Sequence, residues 1–373
     1  MLKLSRHAQI YPKIILLLLF SVFITADCRD NTAKENSVIA GEIDALFADF
    51  NENTPGCAVM VIRNGKIVHQ TGYGMADIER KVKMGSDIAI RLASVSKQFT
   101  AMGIMILAEQ GKLGFDDPAV QYIPELAGRY GDKITVRHLL THTSGLPDYY
   151  DAMTQFPSER MPVTEDGAAV FAKWGKSRFE PGEKFEYSNP GYEMLALIIE
   201  KASGQTFPEF LKSEIFTPLG MTDSLVMTHP ETHFPKRSYG YRLKDDGYVL
   251  LDDHRFNLML GAGGVYTTLE DMYLWDQALY TEELIKKATL DLAFTPMKLL
   301  SGKDTDYGFG WTIENYKGLR RLSHGGGWVG FRTGIARYPD RKLTVVVLSN
   351  SASTNPRTFI EKISDLFLDI SED

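Results

Sequence analysis

Ser94, Val95, Ser96 and Lys97 place a hydroxyl and an amine three residues apart. On a helix, side chains at that spacing share a face. A serine at a helix N-terminus also feels the positive end of the dipole, which favours an oxyanion. A lysine held neutral by burial and by positive neighbours accepts the serine proton, so the pair could act as nucleophile and base. Alone, Ser-x-x-Lys also arises wherever a serine caps a helix and a lysine is solvated. Two later groups extend the set. Tyr187-Ser188-Asn189 precedes Pro190 and Gly191. A phenol beside a lysine ammonium is expected to have a lowered pKa and to serve as a general base. Asn189 has the atoms to hydrogen-bond a lysine or a substrate carbonyl. His324-Gly325-Gly326-Gly327 closes a strand-like run, and its glycines would let a ligand lie against the backbone. The N–H groups of Gly327 and Ser94 would form an oxyanion hole. Singly, these two groups also read as a common Asn-Pro-Gly turn and a glycine-rich turn with a surface histidine.

The elements that must carry these groups are legible from periodicity. Ile39, Ile43, Leu46, Phe47 and Phe50 follow helical spacing. Residues 58–63 and 66–70 flank Asn64-Gly65, a two-residue hairpin signal. A second helix is predicted from about Ser94 to Gln110, with Val95, Phe99, Met102 and Ile106 on one face and Gly111 as cap. The stretch from about 113 to 296 reads as helices and loops, including a helix over 192–202 closed by Gly204. Short β-like runs follow at 307–316, 319–323, 330–338 and 343–349. Asn355-Pro356 then opens a last helix with Ile360, Ile363, Phe367 and Ile370 on one side. Two early strands and several late ones join one sheet if the middle is an insertion. The fold class is therefore α/β (α+β): an antiparallel sheet flanked by helices, with a mainly helical subdomain beside it. A cleft between two such lobes is a common ligand site.

Together and in chain order, the three groups resemble the serine β-lactamase and penicillin-binding protein superfamily. More narrowly, they are similar to its class C-related branch with D-amino-acid peptidases and esterases. That family shows Ser-x-x-Lys, then Tyr-x-Asn, then Lys or His before x-Gly. Residues 138–147 (His-Leu-Leu-Thr-His-Thr-Ser-Gly-Leu-Pro) and Gly261 to Thr268 ahead of Leu269-Glu270-Asp271 share the likeness, which spans about residues 39–370. The resemblance implies a β-lactamase/transpeptidase-like fold. It also implies Ser94 as nucleophile, Lys97 and Tyr187 sharing the acid and base work, and Asn189 positioning Lys97 or the substrate. His324, Gly326 and Gly327 would bind substrate, with the Gly327 and Ser94 N–H groups on the oxyanion. The reaction implied is acylation of Ser94 and hydrolysis of the acyl-enzyme, with no cofactor and no metal. Substrates allowed are D-amino-acid-containing peptides, short esters and β-lactams. His324 stands where penicillin-degrading relatives often carry lysine. A neutral imidazole would hold a substrate carboxylate less firmly, which favours peptidase or esterase activity over efficient β-lactam hydrolysis. No dedicated deacylating glutamate is evident, and Glu193 is expected on a helix after the Tyr187 turn. The alternative is a penicillin-binding sensor or scaffold that is acylated without turnover.

The ends point to export. Lys3, Arg6 and Lys13 precede an apolar run at 14–26 that is shorter than the ~20 residues of a spanning helix, so residues 1–26 read as a signal peptide. Removing its three positive charges from a net −7 leaves −10. Residues 27–37 form a polar tether, and 38–371 the hydrolase domain, with a sheet lobe at about 38–112 and 300–371 and the helical subdomain at about 113–299. The chain would be periplasmic or secreted. Cys28 directly after the apolar run raises a lipid anchor as a membrane tether, although Asp27 stands where a small residue is expected. An unlipidated Cys28 would be able to pair with Cys57 in an oxidising compartment. Otherwise Cys57 is a small buried residue.

Composition removes other classes. Across 373 residues, 44% are hydrophobic and 24% charged, which excludes a disordered chain and a multi-span membrane protein. The acidic balance argues against a nucleic-acid partner, which leaves a small-molecule or peptide substrate. No Gly-x-Ser-x-Gly elbow occurs, so an α/β-hydrolase does not fit. Gly325-x-Gly327-x-x-Gly330 opens no helix, so it is no dinucleotide motif. His142 is either a cleft contact or a buried, hydrogen-bonded loop residue. Tyr149 and Tyr150 either line the cleft or pack.

Overall fold

A computed structural model describes residues 38–127, 132–148, 151, 153–174, 177–229, 234 and 236–368. The expected signal peptide and tether, Cys28, Tyr149, Tyr150 and Ile370 lie outside the described residues. The chain divides into two units, Met1–Ala48 and Asp49–Asp373. Of the first, residues 38–46 form a helix, the element that the spacing of Ile39 and Ile43 predicts.

In the second unit the hairpin is made by β1 (Cys57–Arg63) and β2 (Lys66–Tyr73), and Asn64 and Gly65 take φ of 52° and 73° at the turn. Four strands return late: β3 (Thr312–Tyr316), β4 (Leu319–Trp328), β5 (Phe331–Tyr338) and β6 (Leu343–Ser349). They join one antiparallel sheet in the order β3-β4-β5-β6-β1-β2. β1 and β6 are central and almost wholly buried, which is why both read as mainly apolar runs. Cys57 is buried on β1 and has no disulfide partner among the described residues.

Helices cover the sheet. α1 (Lys97–Glu109) is buried at every position from Lys97 to Leu107, and from Ala101 to Leu107 it is apolar on all sides. It packs on α3 (Asn189–Ser203), and Gly103 allows the close approach, because a Cβ there would meet Ile199 at 2.9 Å. Gly204 caps α3 in the left-handed region at φ 76°. α4 (Pro356–Leu368) buries Ile360, Ile363 and Phe367 against β5 and β6. The residues between α1 and β3 include a short helix, α2 (Val136–Leu140), and further helices at Thr164–Trp174, Leu269–Ala278 and Lys287–Ala293.

Two predicted strands differ from the structure. Residues 307–311 are irregular, because Gly310 takes φ 78° and Gly308 lies so close to the Ala293 carbonyl that a Cβ would meet it at 2.1 Å. β4 does not end before the glycines. It continues through His324-Gly325-Gly326-Gly327 to Trp328, paired with β5, and turns only at Val329, where φ is 39°.

Candidate active site

Ser94 stands in a 3₁₀ turn, Ala93–Ser96, that leads directly into α1. The turn is fixed from outside. The Leu92 N–H donates to Val265 O, and the Val265 N–H donates to Ser96 Oγ. Ala93 is held at φ 49°, a conformation that costs a non-glycine residue about 1–3 kcal/mol and is seen most often at functional sites. β4 presses on the same turn. A Cβ on Gly326 would lie 2.2 Å from Leu92 O and 3.3 Å from Ala93 Cβ. Gly326 therefore brings β4 against the serine turn. On the side where a Cβ would stand, the space beside Gly326 is filled by protein, so any contact with substrate there would be by its backbone. A Cβ on Gly327 would make only ordinary contact with Arg332, at 3.7 Å, and Gly327 and Ser94 line a cleft that Met259, Gly263 and Trp328 also bound. The two residues whose N–H groups are expected at an oxyanion thus line one cavity.

Lys97 is fully buried, and its Nζ lies 3.3 Å from Ser94 Oγ, 2.9 Å from Asn189 Oδ1 and 3.0 Å from Ala262 O. Both carbonyl oxygens only accept, so they take two N–H bonds. A neutral amine has two N–H groups and one lone pair, and the lone pair is then left for the Ser94 hydroxyl. Burial pushes the Lys97 pKa down to about 7, with Glu193 and Asp148 pulling the other way. Asn189 reaches the lysine because it is the first residue of α3, with Ser188 as cap: the Ser188 Oγ accepts the Gly191 N–H.

The Tyr187 hydroxyl interacts with the Ser94 side chain, and the Tyr187 ring centroid is 4.9 Å from Lys97 Nζ. The expectation of a lowered phenol pKa is not met. Burial raises it, and the bond to Ser94 opposes this only in part. With Lys97 poised near neutrality and the phenol above its ordinary value, the amine is the better resting base, and Tyr187 is a neutral hydroxyl able to pass a proton. The rate of acylation is therefore expected to rise about tenfold per pH unit up to about 7 and to level off above, with no falling limb before pH 9. A pH–rate profile with a short-chain nitrophenyl ester checks this, and a flat profile from pH 5 to 8 would remove Lys97 as the base.

His324 is buried, and both of its ring nitrogens are engaged. The Tyr307 hydroxyl donates to Nε2 at 2.7 Å, so Nδ1 carries the proton that goes to Gly325 O at 2.7 Å. Burial and the nearby Lys97 push its pKa down to about 3. It is neutral, as expected. As a substrate contact it has no ring N–H or lone pair to spare until Tyr307 moves.

Two residues with no expected role complete the arrangement. Tyr307 is the buried partner of His324. Glu193 is on α3, as expected, but it is fully buried and accepts the N–H groups of Gly261 and Ala262, each at 3.0 Å. It holds the loop whose Ala262 carbonyl binds Lys97. Its place one helical turn after Asn189 was the available signal. Nothing in the spacing of Tyr307 marks it. Arg91, which also lines the cleft, is committed to Gly263 O and to Asn257 through three bonds.

Comparison with known proteins fits this geometry. The sequence model of the family described as Beta-lactamase matches residues 43–368. The chain is 39% identical over 307 residues to penicillin-binding protein 4* of Bacillus subtilis (strain 168), covering 78% of this chain and 67% of that protein. It is 27% identical to a D-aminopeptidase of Cereibacter sphaeroides, covering 79% of this chain and 57% of that one. Its fold is similar to the octameric penicillin-binding protein homologue from Pyrococcus abyssi, with a TM-score of 0.77 and 27% identity over 88% of this chain and 77% of the other. The fold and site thus define a serine hydrolase of the β-lactamase and penicillin-binding protein superfamily, and the chain belongs to the Beta-lactamase family. It spans between 57% and 71% of the length of such curated relatives.

Proposed function

We propose that the chain is an exported hydrolase that is acylated on Ser94 and deacylated by water. It acts on D-amino-acid-containing peptides or short esters in preference to β-lactams. The observation that carries this reading is the buried Lys97, poised near neutrality with its lone pair available to the Ser94 hydroxyl. The preference rests on His324, which is neutral and already bonded through both nitrogens, so the cleft lacks the lysine cation that a β-lactam carboxylate meets in penicillin-degrading relatives. The D-aminopeptidase relative supports the peptide side of the reading. Met259 and Trp328 line the cleft beside Ser94, and the charged side chains there are tied to protein partners, so the cleft suits a neutral acyl group. Export rests on the residues before position 27.

The test is product formed per enzyme with three substrates: a short-chain nitrophenyl ester, a D-Ala-D-Ala peptide and a chromogenic cephalosporin. Many turnovers of the ester or the peptide, and at least about tenfold slower turnover of the cephalosporin, are expected, as loss of one charge-assisted contact would give. One equivalent of product and then silence would identify a sensor. Fastest turnover of the cephalosporin would overturn the preference.

A further inference from the structure

His142 is buried at 1% exposure, yet the chemistry above does not use it. It follows α2, and its backbone lies at φ 57°, a region that histidine tolerates better than most side chains. Its Nδ1 accepts the Ser188 N–H at 3.1 Å, which leaves the ring proton on Nε2. That Nε2 is buried and has no hydrogen-bond partner among the described residues. An unsatisfied buried donor is a standing cost, and a smaller apolar residue would avoid it. What the imidazole supplies in return is visible in its neighbours. Its ring centroid is 4.2 Å from that of Tyr187, 4.6 Å from Tyr307 and 5.1 Å from Tyr192. Ser188 lies between Tyr187 and Asn189, so its bond to the imidazole, beside the Glu186 N–H bond to the His142 carbonyl at 2.9 Å, ties down the backbone that delivers both groups to Lys97 and Ser94.

We infer that His142 is a positioning residue of this site: through the Ser188 N–H and the face of the Tyr187 ring, it holds the tyrosine hydroxyl on Ser94. The inference rests on the reading of Ser94, Lys97 and Tyr187 given above. It requires a neutral ring, since a proton on Nδ1 would remove the acceptor. The titratable groups around it are Lys97 of α1, Tyr187 and Tyr192 at and within the start of α3, Tyr307 before β3, and His324 of β4. Burial, helped by the nearby Lys97, holds its pKa well below the usual histidine value, so the anchor persists while Lys97 titrates.

The experiment is a mutant cycle on the full chain, reading kcat and KM for the nitrophenyl ester. His142→Gly accepts the positive φ and removes both the acceptor and the ring. It is expected to lower kcat about 30-fold with KM within about threefold, but to lower kcat less than about threefold when Tyr187→Phe is already present, because coupled residues are not additive. His142→Asn tolerates the same φ and offers an amide oxygen to Ser188, so it should keep kcat within about fivefold of the parent. Additive losses in the two backgrounds, or a change confined to KM, overturn the inference. Should His142→Gly fail to fold, His142→Asn decides: a natively folded Asn variant as inactive as Tyr187→Phe overturns it. A Tyr187→Phe variant with unchanged kcat would instead sink the reading of the site, and the inference with it.

Discussion

Ser94→Ala is expected to lower turnover of any substrate by about four to six orders of magnitude, because every later step passes through the serine oxygen. The loss should come without unfolding. The Ser94 side chain touches Lys97 and Tyr187 at the cleft and fills no core space, and the turn that carries it is held by the Val265, Leu92 and Ser96 bonds, none of which uses its hydroxyl. The measurement is steady-state turnover of the ester beside a thermal melt of the same sample. A melting temperature within a few degrees and no turnover above the buffer rate are expected. Turnover within tenfold of the parent would mean that another group is the nucleophile.

Lys97→Met comes next in size. It removes the base while keeping an unbranched chain of similar length in the same buried channel. The rate of acylation is expected to fall by about 10²–10⁴, the range for loss of a positioned general base, and the rise through pH 7 should vanish with it. Stability is a contest of opposed effects. Losing a buried amine that water would solvate better favours the variant. Leaving Asn189 Oδ1 and Ala262 O without their donor costs about 1–3 kcal/mol each. The two are of similar size, so the variant should fold, and its defect should lie in rate. The double variant with Ser94→Ala should be no slower than Ser94→Ala alone, since the base has nothing left to activate. A Lys97→Met protein that keeps the limb near pH 7 would assign that limb to another group.

What the residues disclosed in advance was local. Asn64-Gly65 specifies a hairpin because both turn positions need positive φ, and the hairpin forms. Ser94 and Lys97 meet because helical spacing dictates it. Sequence order also sufficed to join the early and late strands in one sheet. The parts that escaped depend on groups far apart in the chain. Tyr307 reaches His324 only because residues 307–311 leave the strand pattern and fold back over β4. The raised Tyr187 pKa depends on how far the hydroxyl is desolvated, which no neighbour in sequence encodes. The close approach of Gly326 to the Leu92 carbonyl, 234 positions earlier in the chain, is not readable from a run of three glycines. Glu193 looked like an ordinary helix residue until the loop at Gly261 and Ala262 closed over it.

The most direct test of the central claim is a rapid-quench mass measurement. The protein is mixed with the nitrophenyl ester, stopped in acid within the first turnover, digested and mapped. A single acyl mass is predicted on the peptide that carries Ser94, appearing no more slowly than product and decaying at a rate compatible with turnover, and absent from the Ser94→Ala protein. An acyl group on any other residue, or steady turnover with Ser94 never modified in a trap that holds acyl-serine, would contradict it.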